Sequence, residues 1–470
     1  METIGQHSLA GISPSASVLP FALFVTTAIG LSFLWIVDIN LLIAVGIVAI
    51  IGGSALARNK QDYWTTIFSF FGGRTAVTAS LLWLIVGVYG NILKEGHIVE
   101  GLVWASGVLD LNGTAFTLVA FLFSGLFAIS TGSGFGTISA MSLTLFPAGI
   151  AVGGDAALLG GAILSGAALG DSISPVSDTA VIAATTQQYD EEGSVADVGG
   201  TVRYRLPIVL WSAVLSVIVF CVAGLWNAET SRSAIEVHPD DYKGLFLLLP
   251  TLVVMVLAFR KVNIFVSLFI GIVVAVVLGL TMHLFPSASL IGVAEGHIDG
   301  AVVNGIGSMA NICLLLMVVV SLSGLIIRSG CMEQMIARLN ASVARSQRQT
   351  ELTIFFLVTI AGILVAAVNT IANICVAPFV NDIGRQQGIH PYRRSAILAT
   401  VICTFPFILP YGGCLLLLMK GVEASGTGIG LETTDMFFTA FYPWILLMCS
   451  LATCFIHPKS KYEKTDETDS

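Results

Sequence analysis

Long apolar runs separated by short polar segments dominate the hydropathy pattern of this chain. Runs of about 20 apolar residues are long enough to cross the hydrocarbon core of a bilayer as helices. They cover residues 18–37, 39–57, 76–92, 114–153, 156–186, 206–226, 245–259, 262–284, 301–327, 352–381, 395–420 and 436–455. The alternation of apolar and polar residues that a transmembrane β-barrel requires is not seen. The pattern predicts an all-α polytopic membrane protein.

The composition agrees with this pattern. Of the 470 residues, 56% are hydrophobic and only 11% are charged, whereas a soluble domain carries roughly 25% charged residues. No basic region precedes the first apolar run and no small-residue cleavage site follows it, so we interpret that run as a retained helix and not as a signal peptide. The net charge of −8 comes from the loops and tail, and the lipid bilayer is the partner that the composition predicts.

The cysteines and histidines do not indicate a structural metal or a cofactor. Most of the eight cysteines lie within apolar runs and none forms a C-x-x-C pair, and the seven histidines are scattered. Such cysteines are usually small buried hydrophobic residues. We therefore expect no cofactor, no structural metal site and no nucleic-acid partner, so that any cation at the protein is a coupling ion.

Basic residues predict the orientation, because lysine and arginine favour cytoplasmic loops. The charges separate by side only if runs 114–153 and 352–381 each begin and end on the same side of the membrane. Seventeen of the 21 basic residues then share one side, namely Arg58, Lys60, Arg74, Arg203, Arg205, Arg260, Lys261, Arg328, Arg338, Arg345, Arg348, Arg385, Arg393, Arg394, Lys459, Lys461 and Lys464, against Lys94, Arg232, Lys243 and Lys420 on the other. The bias predicts cytoplasmic termini and, by analogy, a cell inner membrane.

Both of these long runs have a polar interruption in the middle, "STGSGFGT" (130–137) in the first and "VNTIAN" (368–373) in the second. We interpret each run as a re-entrant helical hairpin. The same order of elements then occurs twice, in opposite orientation: three spans, a hairpin, a broken helix and a final span. Such an inverted repeat is typical of secondary transporters. The predicted units are a cytoplasmic N-terminus (1–17), a first repeat (18–226), an external linker (227–244), a second repeat (245–455) and a cytoplasmic tail (456–470), with about five transmembrane helices in each repeat.

The segment "GDSISPVSD" (170–178) places a helix breaker between two carboxylates inside an apolar run. Pro175 removes a backbone donor, and Gly170 weakens the helix further. Carbonyls freed by such a break find no partner in lipid, so the break should be buried or line a wet cavity. The segment "TFPFILPYGG" (404–413) predicts the same feature in the second repeat, with breaks at Pro406, Pro410, Gly412 and Gly413.

Asp171 and Asp178 flank the first break and should face inward, because a carboxylate facing lipid costs about 2.5–3.5 kcal/mol at a helix centre. Oxygen ligands suit a hard cation such as Na⁺, and we name both aspartates as its ligands. The other candidates are Ser174, Ser177, Thr179, Thr131, Ser133, Thr137, Asn369, Thr370, Asn373, Thr404 and Tyr411. Two alternatives stay open: each aspartate as a helix cap, and each hydroxyl bonded within its own helix. Asp155, Asp190 and Asp197 are interpreted as solvated loop charges.

The chain resembles the NhaC-type Na⁺/H⁺ antiporter family of the ion transporter superfamily. The family pattern G-D-K-[ML]-S-P-L-S-D-T-T corresponds to "GDSISPVSDTA" (170–180), T-G-[TS]-x-[WF]-G-T to "TGSGFGT" (131–137), and T-S-P-L-[IV]-P-W-N-x-C-G to "CTFPFILPYGGC" (403–414). The resemblance covers nearly the whole chain. It implies ion binding by Asp171, Ser174, Ser177, Asp178 and Thr179, and less firmly by Thr131, Ser133, Thr137 and Asn369.

The sequence departs from the family pattern at two places. Ser172 replaces the usual lysine, which removes a positive charge beside the carboxylates. In the second half, Tyr411, Gly412 and Gly413 stand where Trp-Asn is common. The resemblance implies Na⁺/H⁺ antiport by competition at buried aspartates with alternating access. The alternative is sodium-coupled transport of an amino acid or small carboxylate, and a homodimer is left open. An intramembrane aspartyl protease is disfavoured, because "ALGD" (168–171) lacks the first glycine of G-x-G-D; we expect no enzyme.

The competition hypothesis predicts the effect of neutralising either carboxylate. Asp171→Asn or Asp178→Asn should abolish transport while membrane insertion stays normal, because an amide cannot exchange Na⁺ for a proton. The measurement is sodium-dependent flux in vesicles that contain equal amounts of each protein. Full activity in both variants would contradict the hypothesis.

Overall fold

The structure is a computed structural model that describes residues 14–34, 38–189, 194–226, 240–294, 297–330, 346–366 and 369–456. Its helices are α1 Pro14–Phe33, α2 Ile39–Leu56, α3 Lys60–Phe71, α4 Arg74–Glu95, α5 Ile98–Val108, α6 Gly113–Thr131, α7 Gly134–Ala151, α8 Ala156–Ile173, α9 Asp178–Thr185, α10 Val198–Trp226, α11 Leu248–Phe259, α12 Ile264–Thr281, α13 Ala301–Arg328, α14 Gln347–Leu364, α15 Asn369–Gln386, α16 Pro391–Ile402, α17 Phe405–Ile408, α18 Gly413–Ser425, α19 Thr433–Thr439 and α20 Phe441–Ile456. Short 3₁₀ helices cover Asp241–Leu247 and Ser287–Ser289, and strands β1 Gly292–Ala294 and β2 His297–Asp299 pair antiparallel.

The prediction of an all-α polytopic membrane protein is confirmed. In the described part of the chain, ten helical segments are long and apolar enough to cross a membrane, or eleven when the bent pair α19 and α20 counts as one span. Each predicted apolar run coincides with one helix or a consecutive set of helices. Most of the predicted N-terminus, linker and tail, together with Asp190, lies outside the described residues.

Short polar side chains define where several helices begin. Asp38 accepts a hydrogen bond from the backbone N–H of Leu41 at 2.8 Å, and Asp155 accepts one from Leu158 at 2.9 Å. These bonds satisfy donors that the first helical turn leaves without a partner. Asp155, interpreted from sequence as a solvated loop charge, is therefore the N-cap of α8.

Two helical hairpins occur where the sequence predicts them. In the first, α6 ends at Gly132, whose φ of 66° lies in the left-handed region that favours glycine, and α7 follows at once. In the second, α14 ends at Leu364 and α15 begins at Asn369, so the interruption lies slightly earlier than predicted. Val368, the first residue of the predicted interruption, lies outside the described residues. Entry of the hairpins from one side only stays a prediction.

The two halves of the chain exchange contacts in a reciprocal way. The helix after the first break, α9, packs against α15 of the second hairpin, and the helix after the second break, α18, packs against α7 of the first hairpin. Each break also contacts its own hairpin: Ser174 Oγ donates to the Ile129 carbonyl at 2.8 Å, and the Gly413 backbone N–H donates to the Ala366 carbonyl at 3.4 Å. Each break therefore contacts its own hairpin, and the helix that follows it packs against the hairpin of the other half.

Three arginines that the sequence analysis placed among loop charges are fully buried: Arg205, Arg393 and Arg394. Burial of Arg393 is explained by an ion pair, because its Nη2 lies 3.0 Å from Glu351 Oε2 and both side chains are almost inaccessible. Arg394 donates to the backbone carbonyls of Asn381, at 3.3 Å, and Gln188. Arg393 and Arg394 therefore connect separate segments inside the protein.

The buried Arg393–Glu351 pair generates a stability prediction. Glu351→Gln leaves the guanidinium without its counter-charge, so we expect a loss of roughly 3–5 kcal/mol in the free energy of unfolding and a lower melting temperature in detergent. The matched control is Glu423→Gln, because Glu423 pairs with Lys420 at 2.8 Å but is 69% exposed. An exposed pair contributes about 0–1 kcal/mol, and equal melting temperatures for both variants would contradict the prediction.

Candidate functional site

The first helix break lies between α8 and α9, at residues 174–177. Pro175 sits in this turn, where it has no backbone donor to leave unpaired. The backbone N–H of Ser174 still donates to the Gly170 carbonyl at 2.9 Å, which closes the last turn of α8. The predicted break at Pro175 is therefore observed, and its neighbouring serine anchors it to α6.

Gly170 is not a break, contrary to the prediction. It lies inside α8, which continues to Ile173. A Cβ atom added at position 170 would lie 2.1 Å from the Cβ of Ala128 in α6. Glycine is required here because it lets two helices approach closely, as small residues do throughout membrane proteins.

Asp171 lies in the last turn of α8 and is only 8% exposed. Ser177 Oγ donates to its Oδ1 at 2.6 Å, and Asn369 Nδ2 donates to its Oδ2 at 3.0 Å. Cys403 Sγ, at the end of α16, lies 3.8 Å from the same Oδ2. One buried carboxylate thus receives donors from the first break, from the second hairpin and from the edge of the second break.

Asn373 lies one turn after Asn369 on α15, on the same face of the helix. Its Nδ2 donates to the Thr179 carbonyl at 2.9 Å, in the first turn of α9. In the part of the chain that the structure describes, the Oδ1 atoms of both asparagines are buried and have no hydrogen-bond partner. Buried polar atoms usually have partners, and amide oxygens are among the ligands that a hard cation prefers.

Asp178 does not share the environment of Asp171, although both were predicted to face inward as ligands of one ion. It begins α9, and its side chain is exposed. Seven residues along a continuous helix would put it on the same face as Asp171, but the turn at Pro175 interrupts that periodicity. Arg74 lies within electrostatic range of Asp178. Its position in the first turn also suits the positive end of the helix dipole.

The hydroxyls at the tip of the first hairpin form hydrogen bonds with nearby backbone groups of the same hairpin. Thr131 Oγ1 donates to the Phe127 carbonyl at 3.0 Å, and Thr137 Oγ1 donates to the Ser133 carbonyl at 2.9 Å. Ser133 Oγ accepts from the Gly136 backbone N–H at 3.1 Å and so begins α7. None of these three side chains forms a hydrogen bond with Asp171 in the described part of the chain.

The predicted second-half residues divide in a similar way. Thr404 Oγ1 donates to the Val401 carbonyl at 2.8 Å, and Tyr411 Oη donates to the Ile363 carbonyl at 2.8 Å. Thr370 follows Asn369 but is only half-buried. Of the second-half candidates, Asn369 alone bonds Asp171, while Asn373 reaches the same site through the backbone of α9.

The second break has two parts, at residues 403–404 and 409–412, on either side of the short helix α17. Pro410 and Gly412 lie in the second part, as predicted, and Gly413 is the first residue of α18. Pro406 is not a break, because it lies in the first turn of α17, where proline leaves no required donor missing. A Cβ at Gly412 would lie 2.4 Å from the Pro406 carbonyl oxygen, so this tight turn excludes any larger residue.

Sequence reasoning missed three residues of this region, namely Tyr442, Cys403 and Arg205. Ser172 Oγ is 2.6 Å from Tyr442 Oη, which ties α8 to α20. Cys403, considered only as a small buried hydrophobic residue, contacts Asp171. Arg205, assigned to a loop, is 0% exposed in α10, and its three guanidinium nitrogens have no hydrogen-bond partner among the described residues. An ionisable residue close to a long apolar run was the available signal for Arg205.

The residues described by the structure contain no group of three or more His, Cys, Asp or Glu side chains that could hold a metal ion. The polar region around Asp171 instead combines one carboxylate with neutral oxygens. The chain combines many membrane-crossing helices with two hairpins and two broken helices, and both breaks lie near one buried carboxylate. This combination defines a multi-pass membrane transporter.

The chain belongs to the Na⁺/H⁺ antiporter family, whose family model matches residues 8–225 and 196–408. Transport proteins, not enzymes, make up this family, and its description implies Na⁺ and H⁺ as the transported ions. The prediction of family from the motifs is confirmed.

The chain is also similar to two relatives and to one solved structure. It is 25% identical over 256 residues to the malate-2H⁺/Na⁺-lactate antiporter of Bacillus subtilis, covering 53% of each chain. It is 24% identical over 280 residues to the Na⁺/H⁺ antiporter NhaC of Alkalihalophilus pseudofirmus, covering 56% of each. The chain thus spans about half the length of these relatives. The crystal structure of the Alcanivorax borkumensis YdaH transporter is 15% identical with a TM-score of 0.42, covering 94% of this chain and 98% of that one.

The contacts on either side of Pro175 generate a paired prediction. Ser177→Ala removes a hydrogen bond to the Asp171 carboxylate, and bonds to charged groups contribute about 1.5–3 kcal/mol. We therefore expect transport at limiting ion concentration to fall at least about tenfold, since 1.4 kcal/mol is a factor of ten. The measurement is initial rate in proteoliposomes.

Ser174→Ala is the matched control for that experiment, because Ser174 donates to a backbone carbonyl and not to the carboxylate. We expect it to lower the melting temperature while the ion concentration for half-maximal rate stays unchanged. Equal loss of transport in both variants would show that the break as a whole, and not the bond to Asp171, is what matters.

Proposed function

We propose that this protein is a secondary active transporter that exchanges Na⁺ for H⁺ by competition at Asp171, with alternating access. The observation that carries the proposal is the environment of this carboxylate. It is buried beside a helix break, and its two oxygens accept hydrogen bonds from Ser177 of the first half and Asn369 of the second. Membership of the Na⁺/H⁺ antiporter family supports the choice of ions.

A single buried carboxylate can exchange a cation for a proton. Burial disfavours the charged form of the group, so the free carboxylate must be stabilised by hydrogen bonds, by a bound cation or by protonation. Na⁺ and H⁺ neutralise the same charge and exclude one another. The buried Oδ1 atoms of Asn369 and Asn373 would supply neutral ligands to Na⁺ together with Asp171, while a proton needs the carboxylate alone.

Asp178 has a different role in this proposal. Because its side chain is exposed and seven residues away, it is not a second ligand of the same ion. Its charge lies within electrostatic range of Asp171, so it attracts cations toward the break and raises their local concentration. This role requires a negative charge at position 178. It predicts that Asp178→Asn raises the Na⁺ concentration for half-maximal transport, whereas the hypothesis of a second ion ligand predicts that transport is abolished.

Alternating access would arise from movement of one half against the other. The reciprocal packing of α9 on α15 and of α18 on α7 supports an inverted repeat, with the two broken helices at its axis. We place both termini in the cytoplasm and the protein in the cell inner membrane, on the distribution of its basic residues. No cofactor is required by this mechanism.

The second candidate is sodium-coupled transport of an amino acid or a small carboxylate through the same site. One relative is a malate-2H⁺/Na⁺-lactate antiporter, and the buried guanidinium of Arg205 would suit a carboxylate group. The departures from the family pattern at Ser172 and Gly412 lie beside Asp171 and in the second helix break, where such a solute would bind in this candidate function. This candidate uses Asp171 as well, so substrate measurements must separate the two.

A flux panel in proteoliposomes tests the proposal. Addition of Na⁺ should dissipate an imposed pH gradient, and no labelled amino acid or carboxylate should accumulate in response to a Na⁺ gradient. Vesicles with Asp171→Asn should match protein-free vesicles, because the exchange site is gone. Solute uptake that depends on Na⁺ and on Asp171 would favour the second candidate, and Na⁺-driven proton movement in Asp171→Asn vesicles would contradict both.

A further inference from the structure

Arg205 is the one fully buried arginine whose guanidinium has no hydrogen-bond partner at any nitrogen within the described part of the chain. The other two fully buried arginines have partners: Arg393 pairs with Glu351, and Arg394 donates to backbone carbonyls. Arginine stays protonated in proteins and presents five N–H donors. A buried, unpaired guanidinium is therefore a costly arrangement that requires a partner in another state of the protein.

The helix that carries Arg205 packs against four of the elements around the site. α10 contacts α8, which carries Asp171; α9, which follows the first break; α16, which Cys403 follows directly; and α20, which carries Tyr442. Arg205 lies within electrostatic range of Asp171, Cys403 and Tyr442. Asp171 is the only carboxylate of these three, so it is the counter-charge available to Arg205.

Asp171 is already occupied by neutral donors. Ser177 and Asn369 each donate to one of its oxygens, and Arg205 makes no hydrogen bond to it. The carboxylate therefore has two kinds of neighbour, the neutral donors that bond it now and a cation on a helix that packs against its own. Occupation of the carboxylate by a cation would exclude Arg205 through like-charge repulsion, and an empty carboxylate would attract it.

We propose that Arg205 is a positioning residue that competes with Na⁺ for Asp171 and so promotes release of the ion. This inference rests on the proposed function. It also accounts for Ser172 in place of the family lysine, because the positive charge missing at position 172 is supplied from α10. Tyr442 lies close to both residues. Its Oη is 2.6 Å from Ser172 Oγ, and it lies within electrostatic range of Arg205.

The proposal predicts opposite changes in affinity and turnover. Arg205→Met, or Arg205→Gln if the methionine variant does not insert, removes the competing charge. We expect the Na⁺ concentration for half-maximal exchange, and the Kd for ²²Na⁺ binding to purified protein, to fall at least fivefold. The maximal rate should also fall at least fivefold, because release becomes slow. A purely structural role would lower the amount of active protein and leave the Kd unchanged.

Relocation of the charge provides the decisive variant. Arg205→Ala combined with Ser172→Lys moves the positive charge to the position of the family lysine and vacates the space that the guanidinium occupies. We expect this double variant to recover both the wild-type Kd and at least half of the lost rate, whereas Arg205→Ala alone should not. The matched control is Arg203→Met, since Arg203 lies on the same helix but is exposed; it should behave as the wild type.

Failure of this inference can be told apart from failure of the proposed function. If the wild type exchanges Na⁺ for H⁺ and Arg205→Met leaves the Kd for ²²Na⁺ unchanged or raises it, the competition proposal is wrong and the exchange stands. If the wild type neither exchanges nor binds Na⁺, the proposed function itself is wrong. If Arg205→Met abolishes uptake of a labelled carboxylate and leaves Na⁺ binding intact, Arg205 binds an anionic substrate and does not compete for Asp171.

Discussion

The structure depends on one constraint, which is that lipid offers no partner to a polar group. Asp171 can remain buried because the protein itself supplies donors to both of its oxygens, from Ser177 beyond the helix break and from Asn369 at the start of α15. The break at Pro175 is needed for the first of these bonds, because it brings a residue six positions later back to the carboxylate. Fold and site are therefore consequences of the same requirement.

The second consequence is mechanical. Since the donors to Asp171 come from different halves of the chain, any movement of one half against the other changes the set of groups around the carboxylate. A rigid ion site on one element would not respond to such a movement. The cross-packing of α9 on α15 and of α18 on α7 links each helix break to the hairpin of the opposite half. In the proposed mechanism, a change of access would therefore also change the coordination of Asp171.

Sequence reasoning could locate the helices, both hairpins, the Pro175 and Pro410 breaks and the Asp171–Asn369 region, because periodicity and helix breakers are local properties of the chain. It was wrong where tertiary packing decides. Gly170 is explained by Ala128 of another helix, and the exposure of Asp178 by the direction that the chain takes after Pro175. The hydroxyls of Thr131 and Thr137 bond their own helix, an alternative that composition could not distinguish from ion binding.

Arg205 illustrates the same limit for charge. A one-dimensional comparison with the family pattern shows a lysine lost at Ser172, which would leave the carboxylates without a nearby cation. In three dimensions, α10 brings a guanidinium to the same region from 33 positions further along the chain. Electrostatic balance depends on distance in the folded protein and not on alignment position. The charge of a transport site must therefore be counted over every helix that packs against it before a missing residue is taken to change the ion that the site selects.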